Sequence, residues 1–152
     1  MLLNHLTPWD VTDLNPQLAP FGSNPVFLGG ERGRDTMQVL HAHPELRGAV
    51  PLGDSGLYLG GLSEALALVE AGRLESDGFK FFYKVSEWLP GQLEKELGDG
   101  LWECVSLERG TLLQQHGDRS MWSSVRASMA NEVPLATELE THVASTTAEG
   151  GI

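Results

Sequence analysis

A short segment of glycines and arginines is the first place where residue types suggest binding chemistry. Gly29-Gly30-Glu31-Arg32-Gly33-Arg34 follows the apolar run Val26-Phe27-Leu28. Phosphate cradles in proteins use main-chain N–H groups of glycine-rich turns, often beside arginine. The segment matches neither the dinucleotide fingerprint nor the P-loop, and no helix pattern begins after it. We therefore expect a solvated turn, and the alternative is a small anion or nucleotide site formed by Gly29, Gly30, Arg32 and Arg34.

Two histidines form a second candidate, for metal binding. His41 and His43 are two residues apart, with Glu45 nearby, so an extended strand would place both imidazoles on one side. A catalytic zinc needs three protein ligands and an open position. Pro44 interrupts the geometry, and no third ligand is suitably spaced. We expect a strand-end histidine pair that binds no metal.

Nucleophilic and acid–base catalysis find no support in the sequence. A reactive thiol needs a basic or helix-N-terminal setting, but Cys104 has Glu103 and Glu108 as its charged neighbours, so we expect it to be a small core residue. Glu94 and Glu96 are two apart on a predicted helix and therefore point in different directions. There is no G-x-S-x-G segment. We expect a protein that is not an enzyme, with no catalytic residues, cofactor or metal.

Charge and chain length limit the classes of protein and of binding partner that remain. The chain has 152 residues, a formal charge of −11 and a single cysteine. One domain with a sizeable core is expected at this length. The negative charge repels nucleic acid and anionic membranes, and no apolar run approaches the length of a membrane helix. We expect no direct nucleic-acid binding and no membrane insertion, although peripheral association is compatible with the sequence.

The elements that would position these residues centre on a stretch from Phe79 to Leu107. Alternating apolar residues predict a strand from Phe79 to Val85. A short helix should follow, with Pro90 in its first turn and an end at Gly98-Asp99-Gly100. Leu101 to Leu107 then reads as a second strand.

Further elements are expected on either side of this unit. Met1–Leu6 is predicted to be the end of a strand that Thr7-Pro8 breaks, and further strands are predicted at 26–28, 36–41, 48–52 and 57–59. Ser63 should cap a helix that ends at Gly72. A second helix should run from Asp118 or Ser120 through Met129, with its inner face formed by Trp122, Val125 and Met129. Residues 132–152 are predicted to be an acidic, polar tail.

The tryptophans are expected to act mainly in packing. Trp88, Trp102 and Trp122 lie beside predicted joints, where large aromatic side chains fix helices to sheets. Trp9 lies in a polar segment broken by prolines, so it is the tryptophan that we expect at a surface or interface. Trp9 is therefore a candidate interface residue, and Trp88 is a second candidate, for an interface or for the small-molecule site.

Five segments carry a resemblance to a known family. They are NPVFLGG (24–30), Val39-Leu40-His41, GLYLGGLSEALALVEAG (56–72), FKFFYKVSEWLPGQLEKEL (79–97) and Leu101-Trp102. Their order and spacing, from Leu2 to Val125, resemble the YqgE/AlgH family of uncharacterised proteins, formerly described as transcriptional regulators. The segments Leu46-Arg47-Gly48 and Phe81-Phe82 are closest to plant and algal plastid members.

The resemblance implies a compact α/β (α+β) domain over residues 1–131, with a branched, mixed β-sheet and about three short helices. It transfers no catalytic residue or cofactor. Two departures stand out: the N-terminal edge is shortened to Leu2-Leu3-Asn4-His5, and Lys84-Val85-Ser86-Glu87-Trp88 replaces a glycine-containing turn. A shortened edge leaves strand groups that a partner could cover.

Together these observations favour a non-enzymatic protein that acts through protein–protein contacts. The resemblance suggests a peripheral subunit of a large plastid assembly on the stromal side, with a bacterial-type cytoplasm as the alternative location. The alternative functions are an indirect transcriptional regulator and a small anion- or nucleotide-binding protein.

Overall fold

The computed structural model describes residues 5–30, 34–115 and 118–131. Six strands are present in these ranges: β1 (His5–Asp10), β2 (Pro25–Leu28), β3 (Met37–His41), β4 (Ala49–Pro51), β5 (Tyr58–Gly60) and β6 (Lys80–Tyr83). The α-helices are α1 (Val11–Leu14), α2 (Leu62–Glu70), α3 (Gln92–Gly98), α4 (Arg109–Leu113) and α5 (Asp118–Asn131). Two 3₁₀ turns cover Pro16–Phe21 and Ser76–Gly78.

The strands form one mixed sheet in the order β1-β2-β6-β3-β5-β4. β2 and β6 are parallel, with Val26 opposite Phe81, and every other neighbouring pair is antiparallel. The described strands follow a single linear order, and no branch is seen among them. The expected α+β class with a mixed sheet is confirmed.

The two faces of the sheet are covered unequally. One face packs against α1, the first 3₁₀ turn and α2, and its buried core is Val11, Leu18, Phe21, Val26, Val39, Leu46, Ala65, Phe79 and Phe81. On the other face, the buried residues are Phe27, Leu40, Leu57 and Phe82, and they meet Leu112 and Leu113 of α4. Because β-strand side chains alternate, Lys80 points to this second face together with Phe82.

The helix ends show which local signals were predictive. α2 begins after Gly61, whose φ is +68°, so the predicted Ser63 cap is wrong. Gly72 does end this helix: its N–H bonds to the Val69 carbonyl and the Arg73 N–H bonds to the Leu68 carbonyl. α3 begins after Gly91, so Pro90 precedes the helix instead of lying in its first turn.

The predicted strands 26–28, 36–41, 48–52, 57–59 and 79–85 are confirmed with small changes of boundary. Thr7-Pro8 does not break β1; its pairing with β2 is irregular between Leu6 and Asp10, where an edge strand tolerates proline. Residues 1–4 and the predicted tail at 132–152 lie outside the described residues.

Three expectations for the C-terminal half are wrong. Leu101–Leu107 forms no strand, and Cys104 is exposed. Trp122 is 55% exposed, so it is not on the inner face of α5. Apolar alternation did not produce a strand because Trp102 turns back onto α3, as described next.

Candidate functional site

The stretch from Trp88 to Trp102, here called the tryptophan arm, is held by contacts within itself. Its helix α3 contains no fully buried residue. After the helix, Gly100 adopts φ +72°; its N–H bonds to the Leu97 carbonyl, and the Leu101 N–H bonds to the Glu96 carbonyl. This αL termination reverses the chain, so that Trp102 returns to the side of the helix that carries Glu96.

Glu96 joins the two ends of the arm. Its Oε2 accepts hydrogen bonds from Nε1 of Trp88 at 3.0 Å and from Nε1 of Trp102 at 2.6 Å. Its Oε1 accepts from Nε2 of Gln92 at 3.0 Å. The indole rings meet edge to face with centroids 6.0 Å apart. The hydrogen bond from Trp88, followed by those from Trp102 and Gln92, lowers the pKa of the Glu96 carboxyl, so Glu96 is ionised at neutral pH.

The arm presents apolar side chains to solvent. Leu89, next to Trp88, is 75% exposed, and Leu101, next to Trp102, is 68% exposed. Trp102 is also exposed on part of its surface. Scattered exposed leucines are common on proteins, but these two are next to a pair of touching indoles on an internally braced segment. The arrangement suits a contact surface.

The histidine pair is a packing cluster in this fold. His41 is buried; its Nε2 lies 3.0 Å from the Gly60 carbonyl, and its Nδ1 accepts the main-chain N–H of His43 at 3.1 Å. Nε2 must therefore carry the proton, which leaves neither ring nitrogen free for a metal. Burial lowers the pKa of His41 and keeps the ring neutral. His43 stacks on Phe79 and contacts Glu45 at 3.1 Å. Across the described ranges, no three His, Cys, Asp or Glu side chains could hold a metal ion.

The glycine–arginine segment is described only in part, because residues 31–33, including Arg32, lie outside the described ranges. Gly29 and Gly30 are buried, and the Gly29 N–H is bonded to the Tyr83 carbonyl at 2.8 Å. Gly30 lies against the main chain of Ser86, where a Cβ would be 2.6 Å from the Ser86 nitrogen. Arg34 is exposed. The Gly29 amide is thus used within the sheet, and Gly30 serves a close main-chain approach.

Trp9 is exposed, and its ring meets Tyr83 edge to face at 6.3 Å. The rings of Trp9 and Trp88 belong to different aromatic pairs: Trp88 meets Trp102, and Trp9 meets Tyr83. Next to Tyr83, Lys84 adopts φ +62°, at the position where the family resemblance expects glycine. Its Nζ lies 3.4 Å from Asp35, which also accepts the Tyr83 hydroxyl at 2.8 Å.

A buried lysine is the feature that the sequence analysis missed. Lys80 is fully buried, and its Nζ donates to the Leu112 carbonyl at 3.0 Å and the Gln114 carbonyl at 2.9 Å. The ammonium lies 4.3 Å from the centre of the Phe27 ring. Lys80 therefore binds the C-terminal end of α4 to the sheet. In the sequence, the feature that could have indicated this burial is that Lys80 is flanked by Phe79 and Phe81 in a central strand.

Comparisons with known proteins identify the family. The family model described as AlgH-like (DUF179) matches residues 1–134. A UPF0301 protein of Bacteroides thetaiotaomicron is 27% identical over 133 residues, which span 87% of this chain and 67% of that protein. A UPF0301 protein of Cytophaga hutchinsonii is 31% identical over 134 residues, spanning 86% of this chain and 72% of its own length.

The solution structure of the AlgH protein from Pseudomonas aeruginosa superposes with a TM-score of 0.64 at 20% identity, covering 99% of this chain and 76% of that one. This likeness concerns the fold alone. The relatives named here are bacterial, so the plastid affinity stays a prediction from the sequence. No helix within the described part of the chain is long and apolar enough to cross a membrane. Because the family model spans most of the sequence and the expected segments lie in the expected fold, the chain belongs to the AlgH-like (UPF0301) family.

Proposed function

We propose that this protein is non-enzymatic and acts through protein–protein contacts made by the tryptophan arm. The observation that carries the proposal is the combination of internal bracing by Glu96 with outward-facing Leu89 and Leu101. A preformed surface loses little conformational entropy on binding. Aromatic anchors surrounded by apolar contacts are typical of binding hot spots.

Three groups that could take part in chemistry are each engaged in structural contacts, which supports the non-enzymatic part of the proposal. Both ring nitrogens of His41 are engaged, the Lys80 ammonium is bonded to two carbonyls, and both Glu96 oxygens accept hydrogen bonds. Each group is committed to holding structure. We also expect no direct binding of nucleic acid, since the chain carries a formal charge of −11. A gel shift with random duplex DNA at low salt should show no complex.

The test compares the arm with a matched apolar surface elsewhere. The natively tagged protein is purified gently from its host as wild type, as Leu89→Ser/Leu101→Ser, and as a control, Val50→Ser/Leu52→Ser. Val50 lies in the edge strand β4 and is 61% exposed, and Leu52, just after β4, is also exposed. We expect a stoichiometric partner in the wild type and control preparations and its loss from the arm variant.

Two results would contradict the proposal. One is a native protein that elutes only at monomer mass. The other is a complex that the arm substitutions leave intact.

For the non-enzymatic part of the proposal, substitution of His43 or Cys104 in cells should preserve function. Loss of function in a variant that still folds would contradict this part. The bacterial relatives favour a bacterial-type setting for the partner, and a plastid assembly remains a prediction that organelle fractionation tests.

A further inference from the structure

The charged side chains on the tryptophan arm and directly beside it that form no ion pair are all negative. Lys95 forms an ion pair with Asp99, its Nζ lying 2.6 Å from Oδ2, and Glu96 is occupied by the indoles. Glu87, Glu94 and Glu103 are exposed. None of these three carboxylates has a cationic partner among the residues that the structure describes. Glu94 lies on the arm, and Glu87 and Glu103 are the residues that directly flank it.

We propose that the arm binds a different protein at an apolar surface bordered by lysine and arginine. This proposal rests on the proposed function and names the chemistry of its partner. The two leucines would enter the apolar part of that surface, and the three free carboxylates would meet its basic border. The exposed side of the Trp102 ring would accept an arginine or lysine, because a cation is attracted to an indole face. Complementary charges at a rim raise association rates and fix orientation.

Charge also argues against the obvious competing occupants. In a symmetric dimer the same patch would face itself, and the free carboxylates of two arms would be brought together. Like charges across an interface are unfavourable, and each copy adds a formal charge of −11. Nucleic acids and anionic membranes are repelled for the same reason. A basic, apolar protein surface is the occupant that satisfies both components of the arm.

Two synthetic amphipathic peptides test this chemistry directly. One has a leucine face flanked by lysines, and the other has the same leucine face flanked by glutamates. Binding to the full chain is measured by anisotropy of a dye on the peptide, at increasing NaCl concentration. We expect the lysine peptide to bind, with affinity falling about tenfold as screening increases, and the glutamate peptide not to bind.

Neutral substitutions separate the two components. Leu89→Ser/Leu101→Ser should lower the affinity for the lysine peptide at least about tenfold, as expected when two leucines that become buried on binding are lost. Glu94→Gln/Glu103→Gln should weaken it about fivefold. The control, Glu70→Gln/Glu75→Gln, removes two exposed carboxylates that lie outside the arm and should change little. Equal loss in both glutamine variants would mean non-specific attraction to an acidic protein and would overturn the proposal.

The native complex distinguishes this inference from the proposed function. If the complex is lost in Leu89→Ser/Leu101→Ser but is insensitive to salt and to Glu94→Gln/Glu103→Gln, the arm is a contact surface and its partner is not basic. If the leucine substitutions also have no effect, the proposed function itself fails. A homodimer that disappears in the leucine variant would replace the proposed partner with a second copy.

Discussion

Replacing Lys80 with methionine would separate the packing of its side chain from its charge. Methionine keeps an unbranched stem between Phe27 and Phe82 but removes the ammonium that binds the carbonyls of Leu112 and Gln114. Burial lowers the pKa of Lys80 to about 8, from an ordinary value of 10.5. Between these two pH values the unfolded chain binds more protons than the folded chain. The free energy of unfolding should therefore rise with pH in this window.

The size of the effect follows from the two pKa values. The complete gap corresponds to about 3 kcal/mol, of which about 2 kcal/mol should be gained between pH 7 and pH 10. At pH 10 and above, Tyr83 contributes with the opposite sign, because its hydrogen bond to Asp35 raises the pKa of the phenol. The measurement should therefore stop at pH 10. Lys80→Met has no titrating group at this position, so its free energy of unfolding should not show this rise with pH.

The assay is urea unfolding followed by tryptophan fluorescence at pH 7, 8, 9 and 10. Lys95→Met is the control, because it removes an exposed ammonium in place of the buried one. At pH 7 the methionine variant loses two charge-assisted hydrogen bonds, each worth about 1.5–3 kcal/mol, but also escapes the cost of a buried charge. We expect its global stability to change by less than about 2 kcal/mol, while amide exchange in α4 becomes faster. Parallel pH profiles for wild type and Lys80→Met would refute the reasoning.

Three further predictions concern the main chain and His41. Gly30→Ala should lower the free energy of unfolding by about 2 kcal/mol in urea titrations, because its Cβ would meet the main chain of Ser86 at 2.6 Å; Gly98→Ala, which meets nothing within 4 Å, is the control and should not destabilise. Lys84→Gly and Lys84→Ala both remove the ion pair with Asp35, but only glycine accepts φ +62° freely; we expect the glycine variant to be the more stable by about 1 kcal/mol, and equal stabilities would argue against strain. Burial lowers the pKa of His41, so the unfolded chain takes up the extra proton at a higher pH than the folded chain. The free energy of unfolding should therefore begin to fall as the pH drops through about 6.5, and His41→Gln should make this fall smaller.

The central strands were predictable because their signals are local. Alternating phenylalanines identified β6, and Gly72 at the end of α2 was recognised from its position alone. The end of α3 illustrates the limit of local signals. Leu101–Leu107 has the alternation of a strand, but Glu96 offers Trp102 a hydrogen-bond acceptor, and the segment returns to α3 instead of joining the sheet. A side-chain partner of this kind is not visible in periodicity.

The burial of Lys80 could not be predicted because it depends on a distant segment. Alternation places Lys80 on the face opposite Phe81, and an exposed lysine would be the ordinary outcome for that face. This face is shielded from water only because Leu112, Leu113 and the end of α4 lie over it. Only one part of the candidate contact surface was predicted from the sequence. Trp88 was named for its position at a joint, but its role in bracing Leu89 and Leu101 needed the fold.

The position of β6 in the sheet has a consequence for how the chain reaches its native state. β2 and β3 are made before β6 but do not pair with each other, because β6 lies between them in the sheet and pairs with both. During synthesis, each of these strands therefore keeps one edge of unpaired main-chain N–H and C=O groups until β6 is available. Such non-local pairing slows folding and exposes the intermediate to aggregation. A substitution that delays insertion of β6 would therefore reduce the yield of newly made protein, even where the purified protein unfolds at the same urea concentration as the wild type.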